Sequence, residues 1–128
     1  MFTGINHIGI AARDVDSIKE TLVKAFGAKE TYRRKLTGLG PISSIVEVGD
    51  SRFELMQPIG DGVISRFIEK NGEGFHHISI LTDDFAADCE KLTDRGFKVF
   101  GKVEDEDFCV AFIHPKDTDG ILYEIAAE

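Results

Sequence analysis

Apolar and polar positions along this chain follow two rhythms, and the succession of rhythms occurs twice. Residues 5–11 read as a strand, with Ile8 and Ile10 alternating with smaller or polar neighbours. Asp14 is placed to cap a helix in which Val15, Ile18, Leu22 and Phe26 fall at intervals of three or four, and Gly27 stops it. Ala28 to Leu36, Ile42 to Val48 and Arg52 to Gln57 read as three more strands, the last two joined by a tight turn at Gly49-Asp50-Ser51. The order is βαβββ.

The second half repeats it. Phe75 to Thr82 reads as a strand, Asp84 opens a helix with Phe85, Cys89 and Leu92 on one face, and Gly96 breaks it. Strands follow at Phe97 to Val103, Phe108 to His114 and Ile121 to Ala126. Between the copies, Val63, Ile64, Phe67 and Ile68 suggest a short connecting helix, with Asn71-Gly72-Glu73-Gly74 as linker. This predicts module one at about 4–58, a linker at about 59–74 and module two at about 75–127. Neither module buries its sheet alone, so the expectation is a single domain sharing one core.

The repeat carries candidate chemistry. His7 lies in Asn6-His7-Ile8-Gly9-Ile10 and His77 in His76-His77-Ile78-Ser79-Ile80; Glu54 follows the first histidine by 47 residues (7 to 54), and Glu124 follows the second by the same interval (77 to 124). Strand alternation turns Phe53 and Leu55 toward a helix and Glu54 to the opposite face, and Tyr123, Ile125 and Glu124 repeat that pattern. A carboxylate on an inner sheet face is costly without a compensating partner. Two imidazoles and two carboxylates at duplicated spacing point to one divalent metal ion held by His7, Glu54, His77 and Glu124. The donor types suit zinc, cobalt, nickel, manganese or ferrous iron and do not choose among them.

Composition narrows the partners. At 128 residues the chain is one compact unit or two very small ones, and no apolar run approaches a membrane span. A net charge of −8 argues against nucleic acid, while Arg33-Arg34-Lys35 leaves room for an anionic small molecule. Cys89 and Cys109 lack metal-type spacing and are expected to be reduced, structural thiols. The first motif begins at Asn6, so no targeting peptide is expected and the location reads as cytoplasmic.

These segments resemble the paired βαβββ modules of the vicinal oxygen chelate superfamily, across essentially the whole chain. Within it, Asn6 to Ala11, Glu54-Leu55-Met56-Gln57-Pro58, Ile68 to Ile78 with its Lys70-Asn71-Gly72-Glu73-Gly74 run, and Phe112-Ile113-His114-Pro115-Lys116 continuing to Glu124 are most similar to methylmalonyl-CoA epimerases. The resemblance implies an α+β fold, with an open, barrel-like mixed sheet around a metal site whose ligands fall on His7, Glu54, His77 and Glu124. It also implies an isomerase that epimerises the α-carbon of an acyl-CoA thioester, usually as a homodimer. Glu124 is then both ligand and proton-transfer group.

The chain departs from that pattern in two places. Some epimerases carry a second acid/base glutamate on the strand that here begins Gly40-Pro41-Ile42-Ser43-Ser44; Glu47 lies further along it and is the other catalytic candidate, although an exposed edge charge is the commoner state of a glutamate. The run Glu104-Asp105-Glu106-Asp107 replaces a glycine-rich loop and reads as a solvated turn that would repel phosphates lying beside it. Arg66, Lys70 and Lys116 are the cations to examine for phosphate contacts. By alternation His76 faces away from His77, toward packing, and His114-Pro115-Lys116 reads as a turn at a pocket mouth. The competing functions are a glyoxalase-type lactoylglutathione lyase and a non-catalytic small-molecule-binding member of the superfamily.

Overall fold

The computed structural model describes residues 1–35 and 41–128. Leu36, expected to end a strand, and Gly40 lie outside the described residues. The described elements are β1 (Phe2–Ala11), α1 (Val15–Phe26), β2 (Lys29–Lys35), β3 (Ile42–Val48), β4 (Ser51–Gln57), α2 (Val63–Asn71), β5 (Gly74–Thr82), α3 (Phe85–Asp94), β6 (Val99–Glu104), β7 (Cys109–Ile113), a 3-10 turn at Pro115–Asp117, and β8 (Tyr123–Ala127). The mixed α+β class and the doubled βαβββ order expected from the sequence are both present. Contacts divide the chain into two compact units, Ile8–His76 (the N-terminal unit) and Met1–His7 with His77–Glu128 (the C-terminal unit).

In the N-terminal unit β4 runs parallel to β1, from Ile8 opposite Phe53 to Ala11 opposite Met56, and antiparallel to β3, which pairs antiparallel with β2. Val46, Leu55 and Phe53 on one face pack with Val15, Ile18 and Leu22 of α1. Met56, of opposite parity, packs with Ile64 and Ile68 of α2. The Asp14 side chain accepts from the Asp16 and Ser17 N–H groups, and Gly27 ends α1 at φ 67°, where glycine escapes the penalty a Cβ incurs. The Lys-Asn-Gly-Glu-Gly run has a structural role here. Asn71 completes α2, Gly74 begins β5, and a Glu73 carboxylate oxygen accepts the Arg13 N–H at 2.6 Å, holding the loop between β1 and α1.

The C-terminal unit repeats the scheme, with β8 parallel to β5 and antiparallel to β7, and β7 antiparallel to β6. Phe85, Cys89 and Leu92 of α3 pack on Ala111, Ile113 and Ile125, with Tyr123 and Ile80 at the margin. Each fully buried aliphatic side chain of this kind contributes about 1.5–3 kcal/mol. Both cysteines are free, and burial pushes the Cys89 thiol upward. The acidic run forms the β6–β7 turn as expected: one Asp105 oxygen accepts the Asp107 and Phe108 N–H groups, and all four side chains are exposed.

Asp88 of α3 is nearly inaccessible, yet charged partners surround it. The Thr82 hydroxyl donates to it, and the Met1 ammonium lies 2.8 Å from the same carboxyl and 2.7 Å from Asp83. The ammonium and the hydroxyl hold the Asp88 carboxyl below the usual carboxylate range. The folded state therefore binds fewer protons than the unfolded chain near pH 4, so this contribution is full above the unfolded pKa of about 3.9 and is lost as pH falls through the lower folded value. Asp88→Asn is expected to lower stability by about 1–2 kcal/mol at pH 7. Thermal unfolding from pH 7 to pH 2 checks this, since the gap between variant and parent should narrow toward acid; a constant gap contradicts it.

Candidate metal centre

β1, β5 and β8 each deliver one buried polar side chain to the same place. In the parallel β5–β8 ladder Ser79 stands opposite Glu124 and Ile80 opposite Ile125. Ile80, Tyr123 and Ile125 turn toward α3, so His77, Ser79 and Glu124 share the other face. His7, His77 and Glu124 are all buried, 9%, 2% and 8% exposed, and their nearest donor atoms lie within 4.8 Å of one another.

The imidazoles meet at their tips. Their ring planes are inclined at 84°, and the two Nε2 atoms are 3.0 Å apart. Glu124 places Oε1 3.6 Å from the His7 Nε2 and Oε2 3.8 Å from the His77 Nε2. The Ser79 hydroxyl, fully buried, donates to Glu124 Oε1 at 2.8 Å, and the Asn6 side-chain oxygen lies 2.7 Å from the His7 Nδ1. With an acceptor at Nδ1, a neutral His7 carries its proton there and turns the Nε2 lone pair toward the cluster.

This donor set fits a divalent ion. Bonds of roughly 2.0–2.2 Å with angles between octahedral and tetrahedral separate donors by roughly 2.8–3.6 Å; two of the observed separations, 3.0 and 3.6 Å, fall within that range and the third, 3.8 Å, lies just above it. Two nitrogens at 3.0 Å require a proton or a cation between them. The carboxylate of Glu124 beside them completes a donor set of the kind a divalent ion takes.

The other sequence candidates are placed as follows. Glu54 lies in the N-terminal unit on β4, opposite Gly9 of β1 and Ile45 of β3, facing away from the α1 side as alternation predicts; its Oε2 accepts the Ser43 hydroxyl at 3.1 Å. Glu47, also on β3, pairs with Arg52 at 3.5 Å, and its side chain is 38% exposed. His76 packs edge-on against Phe67, at 4.7 Å between centroids, and its burial lowers the imidazole pKa. His114 caps the 3-10 turn, its Nδ1 accepting the Lys116 N–H at 3.2 Å. Arg66 pairs with Asp61 at 3.6 Å, while Lys70 and Lys116 are exposed.

Sequence reasoning missed Ser79 and Asn6. A signal existed for Ser79, a polar residue at an inward strand position between Ile78 and Ile80, in the segment that pairs with Glu124. For Asn6 alternation was misleading. Neighbouring strand residues point to opposite faces, yet the Asn6 Oδ1 lies 2.7 Å from the His7 Nδ1.

Comparison with known proteins places the chain among related sequences and structures. Residues 6–117 match the family described as the Glyoxalase/Bleomycin resistance protein/Dioxygenase superfamily. The chain is 30% identical over 131 residues to ethylmalonyl-CoA/methylmalonyl-CoA epimerase of Cereibacter sphaeroides, covering 98% of each chain. It is 32% identical over 126 residues to the mitochondrial methylmalonyl-CoA epimerase of Homo sapiens, covering 94% of this chain and 72% of that one. A variant of Streptomyces coelicolor methylmalonyl-CoA epimerase in complex with 2-nitronate-propionyl-CoA superposes with a TM-score of 0.90 at 29% identity, covering 100% of this chain and 99% of the other.

Proposed function

The chain belongs to the glyoxalase/bleomycin resistance protein/dioxygenase superfamily, and on that footing we propose that it is a metal-dependent epimerase of a methylmalonyl-CoA-like thioester. The buried His7–His77–Glu124 cluster carries this reading, supported by the similarity to epimerases over nearly the whole chain. His7 and His77 would hold the ion through Nε2, and Glu124 through its carboxylate. Glu54 is the further candidate that the duplicated spacing supports on sequence grounds.

A bound divalent ion supplies Lewis-acid stabilisation to negative charge developing on a carbonyl oxygen. The remaining work belongs to the side chains. A carbon flanked by a thioester and a carboxylate is a weak acid in water, and its proton must leave one face and return to the other for the configuration to invert. Glu124 is the proton-transfer group on one face. Ser79 fixes its Oε1, which orients the carboxylate before substrate arrives and lowers the cost of aligning it with the α-carbon. Burial of the three side chains keeps bulk water from competing for the developing charge.

Epimerisation by this route exposes the α-proton to solvent exchange. A methylmalonyl-CoA thioester incubated in heavy water with metal-loaded protein is expected to acquire deuterium at the α-carbon as it epimerises, measured by mass spectrometry and proton NMR. Absence of both, with isomerisation of the hemithioacetal of methylglyoxal and glutathione, transfers the assignment to a lactoylglutathione lyase. Absence of every turnover with tight thioester binding leaves a non-catalytic binding protein.

A further inference from the structure

We propose that Asn6 and Glu128 together set the tautomer of His7, making Asn6 a positioning residue of the metal centre. The inference rests on His7 being a ligand, and it adds a reason why Nε2 is the atom offered. The Asn6 amide has two ends of opposite character. Its Nδ2 donates to Glu128 Oε1 at 3.0 Å, and its Oδ1 lies 2.7 Å from the His7 Nδ1.

The carboxylate decides which way the amide points. An ionised carboxylate only accepts, so turning the amide over would set its oxygen against the oxygen of Glu128 and its NH2 against the ring nitrogen. Held as it is, the amide offers His7 an acceptor, and only an N–H fits at Nδ1. A neutral imidazole has one such proton, so Nε2 keeps its lone pair and faces the His77 Nε2 and Glu124. Ligating histidines commonly have an acceptor behind the ring. Here that acceptor is neutral, and its polarity is set by a charge one bond further out.

The connection also links two ligands through one strand. Glu128 directly follows β8, the strand that carries Glu124, and Asn6 precedes His7 on β1. The pairing that brings a carboxylate ligand to the cluster thus brings the side chain that orients the imidazole opposite it.

Long-range proton–nitrogen correlation NMR of the metal-free full chain at about pH 9, where an imidazole of ordinary pKa near 6.5 is neutral, reads the tautomer directly. The expected result is an Nδ1–H form for His7. Asn6→Leu, of similar size but without polar atoms, is expected to lose that preference and to weaken cobalt(II) binding by about 10–100-fold. Asn6→Asp keeps an acceptor at Nδ1 and is expected to keep the tautomer. Glu128→Ala lets the amide turn and, should Asn6→Leu misfold, is the variant that decides, with the same direction and a smaller change. An Nε2–H form of His7 in the parent protein overturns the proposal, as does unchanged tautomer and cobalt affinity in Asn6→Leu or, where that misfolds, in Glu128→Ala. Undiminished cobalt binding by His7→Ala would instead overturn the metal reading, and the metal-free spectra remain a separate result.

Discussion

His77→Ala is expected to lose its divalent metal and, with it, epimerase turnover, while remaining folded. The imidazole is 2% exposed and its Nε2 lies 3.0 Å from that of His7, so its removal takes a buried donor from the middle of the cluster. Outer partners of metal ligands are worth about 10–100-fold in affinity, so a direct ligand is expected to exceed about a hundredfold. Metal analysis of purified protein should fall from about one ion per chain to a small fraction of that. The fold is expected to persist because the β5–β8 ladder is made by backbone groups, and because His77 lies on the face opposite the α3 core. Metal-free parent and metal-free variant should therefore unfold at similar temperatures; the metal-loaded parent should be more stable than both, since an ion that binds only the folded state stabilises it. Full occupancy in His77→Ala would remove His77 from the ligand set.

Glu124→Gln separates holding the metal from moving the proton. The amide matches the carboxylate in shape, and its oxygen can still accept the Ser79 hydroxyl that now reaches Oε1 at 2.8 Å. What it lacks is a basic oxygen. Turnover is expected to fall by at least about a hundredfold if Glu124 transfers the α-proton, with a lesser change in substrate affinity. Cobalt(II) titration of the same variant reports how far metal binding has weakened, so the two effects are read independently. Glu47→Gln is the control: that carboxylate is over one-third exposed and paired with Arg52, and turnover is expected to stay within about twofold. Less than a tenfold loss at Glu124, or a hundredfold loss at Glu47, would move the proton-transfer role to Glu47 or elsewhere.

Much of the fold was legible because local signals agreed. Asp14 and Asp84 cap the helices they were expected to open, and Gly27 ends α1 in a left-handed turn. The Ile42–Val48 strand has the bounds its pattern predicts. Errors cluster at ends that other strands define. Phe2 to Gly4 has no alternating apolar pattern, yet it belongs to β1, with the Met1 carbonyl accepting the Asp83 N–H and the Thr3 hydroxyl donating to the Leu81 carbonyl. Residues 97–98, expected in a strand, precede β6, because the Phe97 N–H bonds back to Leu92 and the Lys98 N–H to Asp117. Hydrophobic period does not register pairings made through backbone and polar side-chain hydrogen bonds.

The candidate site divides along a similar line. Period-two alternation and the duplicated interval of 47 residues made His7, Glu54, His77 and Glu124 the candidates, since strand geometry fixes which face each side chain takes before any partner is known. Tertiary structure alone decided that His7, His77 and Glu124 converge to within 4.8 Å, that Ser79 grips one oxygen of Glu124, and that Asn6, bonded to Glu128, sets its oxygen 2.7 Å from the His7 Nδ1. Those relations join residues 45, 70 and 122 positions apart, and they depend on strand register and side-chain rotamers, which the order of residues does not display.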